Sequence, residues 1–207
     1  DSATTTVDLT VSAAISGTGA GLTKNGAGTL VLAGLNSYDG NMTVNSGLLQ
    51  FNAADSIAGS GRNITVNGGG AVALGYVPAT TIQDDLLSRI VSTSTGAVAL
   101  TANTAENFDF SSGGPNDFTA LSLGADGNVT YSGTLTRNGT IYRLGGGGGT
   151  LTMANTNALV GANSLVVSGK VILAGNNSVS GSTTINANST LTLDAGISGV
   201  GSTSIVN

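Results

Sequence analysis

Apolar residues recur at every second position in short stretches along this chain: Val7, Leu9 and Val11; Leu30 and Leu32; Met42 and Val44; Leu49 and Phe51; Ile64 and Val66; Val72 and Leu74. The residues between them are Asp8, Thr10, Val31, Thr43, Gln50, Thr65 and Ala73, most of them polar. A period of two sends one set of side chains to a core and the other outward, so each stretch predicts a β-strand. At ~3–6 residues apiece, such strands are too short to stand alone and must be held by neighbours. Turn residues punctuate them at Gly17, Gly19 and Gly21, at Asn25-Gly26, from Asn36 to Gly40, at Gly47 and at Gly68-Gly69-Gly70.

The rhythm changes after Leu74. Thr80 or Thr81 can cap a short helix running through Asp84, Asp85, Leu86, Leu87, Ile90 and Val91, with both acids in the favourable first turn. The apolar stripe of this helix is expected to cover a coil or an end of a β stack. Val98 and Leu100 resume strand character, and Asn103 to Phe118 reads as an excursion containing Phe108 and Phe110. Leu121 with Leu123, Val129 with Tyr131, and Ile141 with Tyr142 supply further strands. Asp126-Gly127 and Asn138-Gly139 leave a local antiparallel hairpin open as an alternative here. Five consecutive glycines, Gly145 to Gly149, read as a bend, a tight backbone contact or a conventional linker. Regular alternation returns with Leu151 and Met153, Leu165 and Val167, Val171 and Leu173, Ile185, and Leu191 with Leu193.

One stretch occurs twice. GTLVLAGLNSYDGNMTVN from Gly28 returns as GKVILAGNNSVSGSTTIN from Gly169, with nine of eighteen positions identical. Among the matched or apolarity-preserving positions are Gly28, Leu30, Leu32, Gly34, Asn36, Gly40 and Val44 in the first copy. Their counterparts are Gly169, Val171, Leu173, Gly175, Asn177, Gly181 and Ile185. They fall on one strand face and on turns, as expected of stacked coils. The fold class expected is all-β, a parallel β-helix or solenoid with a central irregular insert containing a short helix. The organisation expected is N-terminal coils over 1–75, the insert over 76–149 and C-terminal coils over 150–207. Coils of ~20–30 residues at ~4.8 Å per rung give roughly 7 to 10 coils and about 35–50 Å.

Composition narrows the chemistry. The 207 residues include 33 Gly but only 4 Phe, 4 Tyr and no Trp, which suits thin regular layers better than a globular core. With 6 basic and 11 acidic residues there is no basic cluster for nucleic acid. The absence of Cys and His removes disulfides, thiol nucleophiles, the Ser-His-acid triad and the usual zinc site. No apolar run approaches the ~20 residues of a membrane span, so no direct membrane insertion by this segment is expected. The chain starts at Asp1 without a basic, apolar and small-residue leader, which reads as processing or excision from a longer chain.

Asp84-Asp85 with Arg89 is the densest acidic pair; adjacency makes a surface ion pair of ~0.2–0.5 kcal/mol or a capping cluster a better reading than the opposed carboxylates of a glycosidase. Glu106, Asp109, Asp117 and Asp126 would make a calcium site only if the insert brought them together; solvated turn acids are the plainer reading. Gly145 to Gly149 lacks the lysine and helix entry of a phosphate loop. Lys24 and Lys170 sit beside the two repeats and read as architecture. Threonines at Thr4-Thr5-Thr6, Thr183-Thr184, Thr190 and Thr192 show no coil-by-coil ladder. Six N-x-S/T sequences begin at Asn41, Asn63, Asn128, Asn138, Asn176 and Asn188, a number expected by accident in so polar a chain.

Leu22 to Phe51, LTKNGAGTLVLAGLNSYDGNMTVNSGLLQF, resembles the autotransporter-associated, or passenger-associated, β-strand repeat, and Val167 to Leu193 resembles a degenerate copy. The resemblance implies a parallel, right-handed β-helix in a secreted bacterial passenger or surface protein. In it Leu30, Leu32, Met42, Val44, Leu49 and Phe51 take strand positions, Gly26, Gly34 and Gly40 take turns, and none is catalytic. The expected function is a structural stalk or scaffold, extracellular or on the cell surface, adhesive or self-associating, with no enzyme activity and no cofactor. A carbohydrate-binding or polysaccharide-cleaving β-helix module is the alternative. The partners expected are a second copy, through coil stacking into an oligomer or filament, and a cell-surface or extracellular glycan, but no nucleic acid.

Overall fold

The computed structural model describes residues 7–57, 63–194 and 203–205. Thr4-Thr5-Thr6 and most of the segment after Asp194 lie outside those residues. Ten strands follow one another along one sheet: Val7–Val11, Thr29–Leu32, Gly47–Phe51, Gly70–Leu74, Ala97–Leu100, Ser122–Ala125, Ile141–Met153, Ser164–Leu173, Thr183–Ile185 and Thr203–Ile205. Every strand pairing among the described residues is parallel. The protein is therefore a multi-turn β-solenoid, about 43 Å from first rung to last at ~4.8 Å per rung.

A single register line runs through all ten rungs: Leu9, Leu30, Leu49, Val72, Val98, Leu123, Leu144, Val167, Ile185 and Ile205. All ten are aliphatic. From Leu49 to Val167 each is 0% exposed. The period-two pattern thus becomes a stack of branched side chains down the middle of the core. Around it lie the larger groups, with Phe108 stacked on Tyr131 at 5.6 Å and Phe110 edge-on to Phe118 at 5.3 Å.

Coil length varies while register holds. Ser168 and Asn186 are coil neighbours 18 residues apart, whereas Val66 and Ser94 are 28 apart. The longer coils take up the central segment. Thr81 caps the helix as expected, its Oγ1 accepting the Asp84 N–H at 2.9 Å. That helix is only one turn, Ile82–Asp85, followed by a 3-10 turn, Leu87–Arg89. It ends early because Ile90 must return to the stack, where it bridges Ile64. The helix itself has no buried residue, and the two residues after it, Leu86 and Leu87, are fully buried in the core.

Asp126-Gly127 and Asn138-Gly139 form corners instead of hairpins. Gly127 (φ +87°) and Gly139 (φ +56°) turn the chain onto the next side of the coil, and the flanking strands pair with other coils in parallel. A positive-φ glycine favours a sharp turn but does not dictate that the strands around it pair with each other.

The five glycines lie inside the strand Ile141–Met153. Gly145 pairs with Ser168 and Thr150 with Lys170, so Gly146 to Gly149 face only Gly169 on the neighbouring rung. The surplus loops outward over the sheet. Beneath it lie Ala97 and Ala99: a methyl group on Gly146 would stand 2.6 Å from the Ala97 Cβ, and one on Gly147 would stand 2.5 Å from the Ala99 Cβ. Ala71, Ala73, Ala97, Ala99 and Leu48 form a second buried cluster on this outer face. GAVAL occurs at both Gly70 to Leu74 and Gly96 to Leu100, an identical pentapeptide that sequence reading passed over. Alanine on one side and Val or Leu on the other marks a strand buried on both faces.

The insert also shifts the two repeats out of phase. Leu30 and Val171 correspond in sequence, yet the register line through Leu30 reaches Val167. Val171 lies on a separate line, Val129, Leu151, Val171 and Leu191. The sheet of Leu22–Lys24, Met42–Val44 and Ile64–Val66 ends at the Ile90 bridge, while Thr104 bridges Tyr131 of Asn128–Tyr131, a strand that pairs with Ile141–Met153 in the main sheet. The repeat therefore occupies different faces in the two halves: in the first copy the ten-rung line carries Leu30, in the second it carries Ile185, the counterpart of Val44.

Candidate functional site

The best-defined constellation is the corner that follows the GTLVL-like strand of each repeat. Asn36 is 6% exposed and Asn177 1%. Asn36 Oδ1 accepts the Ile15 N–H at 2.9 Å, from a residue 21 positions earlier. Asn177 Oδ1 accepts the Leu159 N–H at 2.8 Å, 18 positions earlier. The next residue repeats the grip, Ser37 N–H donating to Ile15 O at 2.8 Å and Ser178 N–H to Leu159 O at 3.1 Å. The two Nδ2 groups differ: Asn36 donates to Ser56 O in the following coil, Asn177 to Gly175 O in its own.

The glycines of this corner sit where no Cβ fits. On Gly34 it would collide with the Ala13 carbonyl, and on Gly175 with that of Asn155. On Gly40 it would lie 2.6 Å from the Ala20 carbonyl, and on Gly181 2.5 Å from that of Asn163. Gly40 N–H donates to Ala20 O at 2.8 Å and Gly181 N–H to Asn163 O at 2.9 Å. Leu32, Val44, Val171 and Leu173 are buried, while Leu30 and Ile185 are half-buried. Gly28 and Gly169 do not share an environment: a Cβ on Gly28 would strike the Asp8 carboxylate, whereas Gly169 (φ +99°) lies beside Gly146.

Lys24 and Lys170 are not equivalent. Lys24 is 7% exposed, and its Nζ donates to the carbonyls of Asn25, Gly26 and Ser46 at 3.0, 2.6 and 3.1 Å. It ties the Asn25-Gly26 turn to the next coil, and burial pulls its pKa below 10.5, against a smaller upward pull from Asp8. Lys170 is exposed. On the outer side of the same sheet Thr23, Thr43 and Thr65 stand in register, beside a ladder in which Asn45 Nδ2 donates to Asn25 Oδ1 and Asn67 Nδ2 to Asn45 Oδ1, both at 2.7 Å. On the other sheet Lys170 and Ile172 separate the pair Thr150 and Thr152 from Thr190 and Thr192. Of the six N-x-S/T asparagines, Asn138 is half-buried and the other five are exposed.

The acidic residues of the insert serve different partners. Asp84 Oδ2 accepts from Thr81 Oγ1 at 2.7 Å, and Asp85 Oδ2 from the Tyr76 hydroxyl at 2.5 Å. Arg89 Nε donates to the Asp85 carbonyl at 2.9 Å. Glu106 accepts the first-turn N–H groups of Ile82 and Gln83 at 3.0 and 2.8 Å, capping the helix from the next coil. Asp109 accepts from Ser111 N–H and Oγ, and Asp117 from Asn138 Nδ2. Among the described residues no three such groups stand where they could hold a metal.

Burial raises the Asp126 carboxyl above its ordinary 3.8. A raised value in the fold means that the stability this group contributes is complete below the unfolded pKa and is lost as pH rises through the folded one. Asp126→Asn should therefore melt higher than the parent at pH 7 and lose that advantage at pH 3, which thermal melts at both pH values will show.

Near the Asn138-Gly139 corner is a cleft of about 220 Å³ including its open mouth. Phe110, Phe118, Leu135, Asn138, Arg137 and Arg143 are among the residues around it. Arg137 lies 5.0 Å over the Tyr142 ring, and its buried Nε has no hydrogen-bond partner.

The parallel coils, the aliphatic line and the backbone-directed corners define a structural β-solenoid module. A family model for the passenger-associated-transport-repeat matches residues 22–51 and 168–187, the two stretches that carry those corners. These two stretches are similar to the repeat of autotransporter passengers, a likeness that supports a structural β-solenoid module with the extracellular or surface-exposed location typical of such passengers. Comparison with curated proteins and with solved structures gives no match. No helix among the described residues is long and apolar enough to cross a membrane.

Proposed function

We propose that this segment is a stiff spacer in the stalk of an extracellular passenger, with residues 1–75 and 150–207 as regular coils and 76–149 as the stretch that absorbs variable coil length. The carrying observation is the aliphatic register line, which passes through that central stretch without losing a rung. Parallel backbone pairing and nearest-neighbour packing resist bending along the whole length. Small-angle scattering should give a rod whose length is independent of protein concentration. A length that grows with concentration would replace the spacer reading by self-association through coil stacking.

A glycan-binding module is the second reading, favoured by the unpartnered Arg137 Nε at the insert cleft. Against it, seven of the eight Phe and Tyr side chains are buried, and the remaining one, Tyr76, is tied to Asp85. Sugar rings are thereby denied an aromatic platform. A glycan array and reducing-end assays should be blank; binding abolished by Arg137→Gln, or any product formed, would transfer the function to the insert.

A further inference from the structure

We propose that the repeat is a backbone-reading coupler: the Asn36 or Asn177 side-chain oxygen and the glycines of its corner dock on the main chain of the coil before it, whatever that coil's sequence. The two copies act as internal replicates. They lie on different register lines and follow unlike coils, one reading AAISGTGA from Ala13 and the other NTNALVGAN from Asn155. Even so, Asn36 and Asn177 accept the backbone N–H of an aliphatic residue in the preceding coil at 2.9 and 2.8 Å. Gly34 and Gly175 meet a backbone carbonyl of that coil, under Ala13 in one copy and Asn155 in the other. Gly40 and Gly181 do the same a few residues later, against Ala20 and Asn163.

Every one of these shared contacts points toward the N-terminal neighbour and ends on main-chain atoms; the bond from Asn36 Nδ2 to Ser56 O in the following coil has no counterpart at Asn177. A group that recognises only amide and carbonyl positions tolerates any side chains on its partner, and glycine permits the close approach that this requires. The carboxamide oxygen also satisfies an N–H that would otherwise be buried without a partner. The repeat therefore supplies an interaction surface whose partner is the bare backbone of a preceding coil. This accounts for its return on the far side of an irregular insert: the second copy locks the coil that the insert delivers, independent of the phase in which it arrives.

The test is residue-resolved hydrogen exchange on the full chain. Asn177→Ala should speed exchange at the Leu159 amide and its upstream neighbours by at least about tenfold, while amides of Thr183–Ile185 and Thr190–Leu193 change by less than about threefold. Asn177→Asp keeps the acceptor oxygen and should restore most of the Leu159 protection. Gly181→Ala should loosen the same upstream coil through Asn163, and Asn36→Ala should expose the Ile15 amide. Ala13→Asn, which changes a side chain of the coil that Gly34 meets but not its main chain, should leave protection unaltered. Equal loosening of the upstream and downstream coils, or loss of protection on Ala13→Asn, would overturn the directional, backbone-only reading. If Asn177→Ala does not fold, the contrast between Asn177→Asp and Asn177→Ser decides: equal exchange at Leu159 in both would overturn the role of the acceptor.

Discussion

Leu144→Ala should lower stability by about 3–5 kcal/mol, measured by urea unfolding, and lower Tm by about 8–15 °C. Leu144 is 0% exposed and sits between Leu123 on one rung and Val167 on the next. Removing its isobutyl group opens a void bounded by two rungs whose backbones are fixed by parallel pairing, so the site cannot collapse to fill it. In a solenoid each coil touches only its neighbours, and a defect at Leu144 weakens two interfaces at once. It also lies where the central stretch joins the C-terminal coils, so unfolding should become less cooperative as well as easier. Leu9→Ala is the matching control at the first rung: 57% exposed, it should cost less than about 0.5 kcal/mol. Equal losses at Leu9 and Leu144 would show that the register line does not carry the fold.

That line was legible in the sequence almost residue by residue, because large aliphatic residues alternating with small or polar ones mark the side of a strand that faces the core. Leu30, Leu49, Val72, Val98, Leu123 and Val167 are all read correctly from a period of two. The repeat was legible for a related reason, since its glycines and asparagines occupy positions where the backbone leaves no alternative. What stayed hidden depends on contacts between coils remote in sequence. Nothing near Leu30 or Val171 reveals that they lie on separate lines; that shift is produced by the insert between them. Lys24 looked like Lys170 because burial of an ammonium group requires carbonyls from Asn25, Gly26 and Ser46, and the last of these belongs to the next coil. Asp126-Gly127 carried a hairpin signal because a turn dipeptide specifies a backbone conformation and says nothing about which strands then pair. The GAVAL pentapeptide held an unread signal: alanines opposite valine and leucine call for a cover on the outer face, and the run of glycines is slim enough to lie against Ala97 and Ala99.

Those glycines carry the second large effect. Gly145→Ala should destabilise the protein by about 3–5 kcal/mol in the same urea assay, with Gly147→Ala close behind and Gly148→Ala at only about 1–2 kcal/mol. All three have left-handed φ values, +97°, +83° and +91°, so each alanine incurs a comparable backbone strain. They differ in what surrounds the new methyl group. At Gly145 it would collide with the Ser168 carbonyl, which is part of the rung-to-rung pairing and cannot withdraw without breaking it. At Gly147 it would stand 2.5 Å from the Ala99 Cβ and 2.7 Å from the Ala125 carbonyl, lifting the strap off the alanine cluster. At Gly148 nothing lies within 4 Å, which isolates the conformational cost. The ranking thus separates strain from contact: if the glycines were a slack linker, all three substitutions would cost little and by similar amounts. A Gly147→Ala variant should also raise hydrogen exchange across Ala97–Leu100, since the strap is what keeps water from the outer side of that strand.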